Sequence, residues 1–179
     1  MIGPQFIPFL PAYIPPEIDM NQVQADVAED GVSVAPIYQD QIPGLLQVVD
    51  QARAEGVDLK IVAIDFNPPI DTPLRDIATE VGQANPGSTV LAMSPSFAGT
   101  YSTAFDRVTL EAGEDIAETG NPLQSAENFL GELNDPHFAW TPFTIVVVIG
   151  VLSAVVATRL LQNWGKRAAA SESPSGSID

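Results

Sequence analysis

Three stretches of the 179-residue chain carry side chains whose types and spacing could do chemistry. In NPPIDTPLRD, Asp71, Arg75 and Asp76 follow closely on Asp65, which ends an apolar run. Paired carboxylates can hold a divalent cation or exchange protons, and ligands of α/β sheets sit beyond the carboxyl ends of the strands. The simpler account is an exposed loop with carboxylates near a helix start and an Asp71–Arg75 pair at i,i+4 spacing. That account is favoured. In SPSFAGTYS, the hydroxyls of Ser94, Ser96, Thr100, Tyr101 and Ser102 surround Gly99. A serine nucleophile needs an adjacent base, and neither a G-x-S-x-G elbow nor a neighbouring histidine is present. A turn-rich recognition loop is the better reading. In LEAGED, Glu111, Glu114 and Asp115 could add oxygen ligands for a hard cation, without EF-hand spacing.

The composition narrows the chemistry further. The formal charge is −16, and before Trp140 only Arg53, Lys60, Arg75 and Arg107 stand against 21 carboxylates. Such a surface repels phosphate backbones, so nucleic acid is not an expected partner. A solvated acidic face is the plain reading of this charge, with a cation site or a basic partner as the alternatives. There is no cysteine, which removes thiolate metal sites, disulfides and thiol nucleophiles. His137 is the one histidine, and beside Pro136 and Phe138 it reads as an interface residue rather than a base. No phosphate-cradling glycine motif occurs.

The elements that would position these residues follow from periodicity. A proline-rich arm, Met1 to Asp19, is expected to be extended. With no basic n-region and a proline in every apolar run, it reads neither as a signal peptide nor as a second span. Its apolar residues Phe6, Ile7, Phe9, Leu10, Tyr13 and Ile14 are free to dock on the domain, the membrane or a partner. Helices are expected from Met20 to Ala28, ended by Gly31, and from Gln41 to Glu55, ended by Gly56. Strands are expected at Val32–Ala35, Leu59–Phe66 and Thr89–Met93, the last two buried on both faces. Thr72 followed by Pro73 opens a third helix as a hydroxyl cap and a first-turn proline. Ser94 to Asp106 reads as a loop. Val108 and Leu110 alternate with polar neighbours, so Arg107–Glu111 reads as a half-exposed antiparallel strand. Glu114–Glu118 then forms a helical turn, and Asn121–Pro122 opens a helix through Leu133. The alternation predicts an α/β domain over 20–135, a small mixed sheet of about four strands covered by helices.

Thr141–Thr158 contains no charge in 18 residues. With Leu160 and Leu161 it spans a hydrocarbon core of about 30 Å at about 1.5 Å per residue. A transmembrane helix with its flanks is therefore placed over 136–164, entering at Trp140, and a disordered tail over 165–179. Trp140 and Trp164 bracket the span as interfacial aromatics, and Arg159, Lys166 and Arg167 lie on its C-terminal side. By the positive-inside rule the C-terminus is cytoplasmic and the acidic domain extracytoplasmic. The missing signal peptide pulls the other way, since tail-anchored proteins keep their domains in the cytoplasm. Gly150 and Ala154, with Ser153 and Ala157 beside them, form a small-residue face on which a second helix can pack.

The segments DLKIVAIDFNPPIDTPLRDIATEVG, TVLAMSPSFAGTYS and FDRVTLEAGEDIAETGNPLQSAENFL, followed by PHFAWTPFTIVVVIGVL, resemble an actinobacterial family of small single-pass membrane proteins. The likeness runs from about Gly31 to Leu161 and leaves out the proline-rich arm. It implies no activity. Members often lie near genes for peptidoglycan endopeptidases, which implies a cell-envelope setting. The order of elements also resembles the TPM domain, a small α/β module often tethered to membranes. Some TPM proteins are linked to photosystem repair, and acid phosphatase activity is reported for one. The resemblance implies the fold, and fold does not fix function.

Taken together, the expectation is a membrane-anchored accessory or scaffold protein, without cofactor and not an enzyme, whose acidic domain binds a membrane or cell-wall protein. The alternative is a metal-assisted, phosphatase-like hydrolase with Asp65, Asp71 and Asp76 on a divalent cation.

Overall fold

A computed structural model describes residues 13–135 and 140–171, with side chains given for 13–135 and 143–164. The arm up to residue 12, His137 and the tail from 172 lie outside the described residues, as do the side chains of Trp140, Lys166 and Arg167. The chain divides into two compact units, Met1–Asp135 and Pro136–Asp179.

The first unit runs α1 (Met20–Glu29), β1 (Val32–Val34), a 3₁₀ turn (Pro36–Gln41), α2 (Ile42–Ala54), β2 (Leu59–Ala63), α3 (Thr72–Ala84), β3 (Thr89–Met93), β4 (Ala98–Ser102), α4 (Arg107–Ala117) and α5 (Pro122–Asn134). The strands form one mixed sheet in the order β1-β2-β3-β4. β1, β2 and β3 are parallel, and β4 returns antiparallel to β3 with Leu91 opposite Thr100. The expected small mixed α/β sheet is what the chain forms.

Side-chain alternation sorts the helices onto two faces. Leu59, Ile61, Leu91 and Met93 point to the face covered by α2, α4 and α5, where Leu45, Val49 and Phe129 are fully buried. Val62, Ile64, Val90 and Ala92 point to the face covered by α1 and α3. The steps β1→β2 and β2→β3 run in the same direction across the sheet, yet their connecting helices α2 and α3 lie on opposite faces. The two crossovers therefore have opposite hands, and one of them breaks the right-handed rule for parallel connections.

Local chemistry explains most boundaries. Asp19 caps α1 by accepting from the amides of Asn21 and Gln22, and Asn121 caps α5 by accepting from Gln124. Gly31 (φ 94°) and Gly56 (φ 87°) turn the chain out of α1 and α2 in the left-handed region, as expected of C′ glycines. The start of α3 differs by one residue from expectation. Asp71 takes the cap position without a side-chain cap bond, and Thr72 is already helical.

Two expectations are overturned here. Ala98–Ser102 lies in the stretch read as a loop and is instead an edge strand, β4. Arg107–Glu111 is not a strand but the first half of α4, which also absorbs the expected turn at Glu114. Asp106 caps α4 through the amide of Thr109, and Leu110, Gly113 and Ala117 form its inward stripe while Val108 is 75% exposed. A short Val-x-Leu alternation fits both periods, and the cap decides for the helix.

The second unit holds α6 (Trp140–Ser171), with a candidate membrane span at Phe143–Trp164, 22 residues long with mean hydropathy 2.3. The tail expected to be disordered from 165 is helical through Ser171, in keeping with the helix propensity of Lys166, Arg167 and the alanines that follow.

Gly99 of β4 fits so closely under α3 that a Cβ there would lie 2.5 Å from the Arg75 amide nitrogen. Gly99→Ala is expected to destabilise the domain by about 2 kcal/mol. Gly131→Ala, where nothing lies within 4 Å in α5, is expected to stabilise it by about 0.5–1 kcal/mol. Urea unfolding of the two variants, followed by circular dichroism, checks the opposite signs.

Candidate functional site

The loops after β2 and β3 meet at one edge of the sheet, and Asn67 joins them. Its Oδ1 accepts from Ser94 Oγ at 3.0 Å and from the Ser96 amide at 2.9 Å, while its Nδ2 donates to Ser96 Oγ at 2.9 Å. Ser94 Oγ also accepts from the Phe97 amide at 3.1 Å. These two serines thus hold the turn into β4. Tyr101 packs its ring against Gly82 of α3.

The four residues expected to cluster at NPPIDTPLRD divide among three environments. Arg75 Nη2 lies 3.8 Å from Asp71 and 3.7 Å from Glu114, and its buried Nε has no hydrogen-bond partner among the described residues. Asp76 accepts from the Tyr13 amide at 2.8 Å and so holds the described end of the N-terminal arm, where Ile14 and Ile18 pack onto the α1/α3 face. Asp65 stands apart, lining a cavity described below. Among the described residues no group of three acidic or histidine side chains is placed to hold a metal ion.

LEAGED also resolves into separate roles. Glu111 pairs with Arg107 at 2.7 Å, and that hydrogen bond raises the pKa of the Arg107 guanidinium above its ordinary value. Glu114 is buried. It accepts from the Thr100 amide at 2.8 Å and from Thr100 Oγ1 at 2.6 Å, supplying a partner for an edge-strand N–H that β3 does not bond.

A cavity that no sequence pattern marks lies at the carboxyl ends of β1 and β2. It has a volume of about 250 Å³ and opens where the chain leaves β1 at Ala35–Pro36 and β2 at Ile64–Phe66. The connection after β1 goes to the α2 face and that after β2 to the α3 face, so the backbone separates and leaves a crevice at the carboxyl ends. Glu17, Asp19, Asp26 and Asp65 bring carboxylates to it. Asp26 accepts from Ser33 Oγ at 2.8 Å, fixing α1 to β1, and Asp19 is engaged as the α1 cap. Among the described residues Glu17 and Asp65 have neither a hydrogen bond nor an ion pair through their side chains. The clue in the sequence was the acidity of residues 17–30, which is not periodic with Asp65 and is joined to it only by the fold.

The basic residues of this unit are all engaged. Arg53 lies 2.7 Å from Asp50, Lys60 lies 3.2 Å from Asp58, and Arg75 and Arg107 are paired as above. In α6, the expected packing residues Gly150, Ser153, Ala154 and Ala157 are exposed, as are Arg159 and Trp164. Ser153 and Thr158 return their hydroxyls to the carbonyls of Ile149 and Ala154, at 2.8 Å each, as hydroxyls in apolar helices do.

Residues 13–172 match the family described as membrane protein Rv1476. Membrane protein Rv1476 of Mycobacterium tuberculosis is 58% identical over 168 residues, covering 94% of this chain and 89% of the relative. Among solved structures, the solution NMR structure of the N-terminal domain of the cg2496 protein from Corynebacterium glutamicum is similar at a TM-score of 0.47 and 17% identity. That likeness covers 71% of this chain and 91% of the other.

Replacing Glu114 by alanine leaves the Thr100 amide buried without an acceptor, and is expected to cost about 2 kcal/mol of domain stability. Glu114→Gln keeps the acceptor oxygen and gives up only the partly exposed pairing with Arg75, so its loss is expected to be less than half as large. Urea unfolding gives the ranking, and amide hydrogen exchange at Thr100 should rise in the alanine variant alone.

Proposed function

The chain belongs to the Rv1476 membrane protein family, and on that premise we propose that it is a non-enzymatic accessory protein of the actinobacterial cell envelope. Its spanning helix tethers an acidic α/β module to the bilayer, and the module docks on a membrane or cell-wall protein. One observation carries this reading. Every basic side chain of the module is already held by one of its own carboxylates, so its large acidic surplus faces outward without compensation. A surface of one sign steers association with partners of the opposite sign. The flanking charge supports an extracytoplasmic module, because Arg159 sits in the last turns of the span, Lys166 and Arg167 follow it, and such residues favour the cytoplasm. The small-residue face of α6 gives the partner's own spanning helix a second place to pack.

Gentle detergent solubilisation followed by affinity purification should recover a discrete partner that dissociates as salt is raised. Recovery of the protein alone counts against the reading. Protease added to spheroplasts should degrade the domain and spare the C-terminal tail; a protected domain and a degraded tail would reverse the orientation.

A further inference from the structure

We infer that the cavity at the carboxyl ends of β1 and β2 is a socket for one lysine or arginine side chain of the protein partner, an inference that rests on the accessory reading above. Size sets the first limit. At about 250 Å³ the cavity falls below the roughly 300–1,000 Å³ of pockets for drug-sized ligands, and it suits one extended side chain. Its wall is more apolar than polar, with Val23, Ala35 and Phe66 available to cover a methylene stem. The two carboxylates without internal partners, Glu17 and Asp65, are exposed and can receive the cationic head.

Charge complementarity selects the occupant. An apolar side chain would gain nothing from these carboxylates, and an anionic one would be repelled. A divalent ion asks for several oxygen ligands together, and no three acidic side chains among the described residues are so placed. The four basic residues of the domain are engaged elsewhere, and in the proposed orientation Arg159 lies within the last turns of the membrane span and Lys166 and Arg167 lie beyond it. A lysine or arginine seated in the cavity therefore comes from a second molecule.

The test uses the full-length protein in uncharged detergent micelles, with Nα-acetyl-lysine N-methylamide as probe and the norleucine equivalent as its neutral match. The lysine probe should shift the amide resonances of Ser33, Ala35 and Asp65 saturably, and the norleucine probe should not. In the double variant Glu17→Gln, Asp65→Asn the affinity should fall about tenfold or more, with the rest of the spectrum unchanged. Absence of shifts at the cavity, equal shifts with norleucine, or undiminished affinity in the double variant would each overturn the socket. A recovered partner without a lysine response removes the socket and leaves the accessory function standing. A lysine response without any recovered partner does the reverse.

Discussion

After β1 the chain crosses to the face carrying α2, and after β2 it crosses to the face carrying α3, although the sheet is still growing in the same direction. This divergence governs what lies at the carboxyl edge. In ordinary parallel sheets a crevice opens where the strand order reverses, because only there do right-handed crossovers part to opposite faces. Here a change of hand produces the same parting without a reversal. The crevice is then walled on one side by α1, whose first turn and preceding loop bring in Glu17, Asp19 and Asp26. The bond from Ser33 to Asp26 keeps α1 beside β1, and so keeps the wall in place.

The other end of the sheet is closed by different means. β4 is an edge strand, and its free amide at Thr100 is taken by a side chain, Glu114, rather than by another strand. That arrangement blocks pairing with a further chain at this edge. It also uses a buried carboxylate for structure, with Arg75 within ion-pair distance of it. The acidic residues of the domain thus fall into two kinds. Some cap helices, hold edge amides or bind the few basic residues, and the remainder face solvent. The partner-docking reading depends on the second kind, and Glu17 and Asp65 are the members gathered at a concave site.

Much of the fold was legible because single elements announced themselves. The runs LKIVA and TVLAM read as buried strands, the Leu45–Val49–Ala52 stripe as a helix face, and Gly31 and Gly56 as stops. β4 was not legible because AGTYS is built from small and polar residues, chosen for the close approach of α3 at Gly99 rather than for hydrophobic patterning. α4 was misread because its opening residues satisfy two periods at once. The site was half legible. Asp65 stood out at the end of a strand, but Asp71 and Asp76, next to it in sequence, turn to Arg75 and Tyr13. Its real neighbours come from the far side of β1, and only the tertiary fold joins them. The membrane helix needed no tertiary information, since length and apolarity alone define it.

Docking of another protein at the crevice between β1 and β2 is the central proposal for this membrane-tethered module. A photo-crosslinking amino acid placed at Phe66 of the full-length chain, activated in living cells, tests this most directly. One discrete protein adduct is expected, which disappears when Glu17 and Asp65 are neutralised together and is absent when the same probe replaces Val108 on the exposed side of α4. Adducts that are the same from both positions, or that persist after neutralisation, would contradict it.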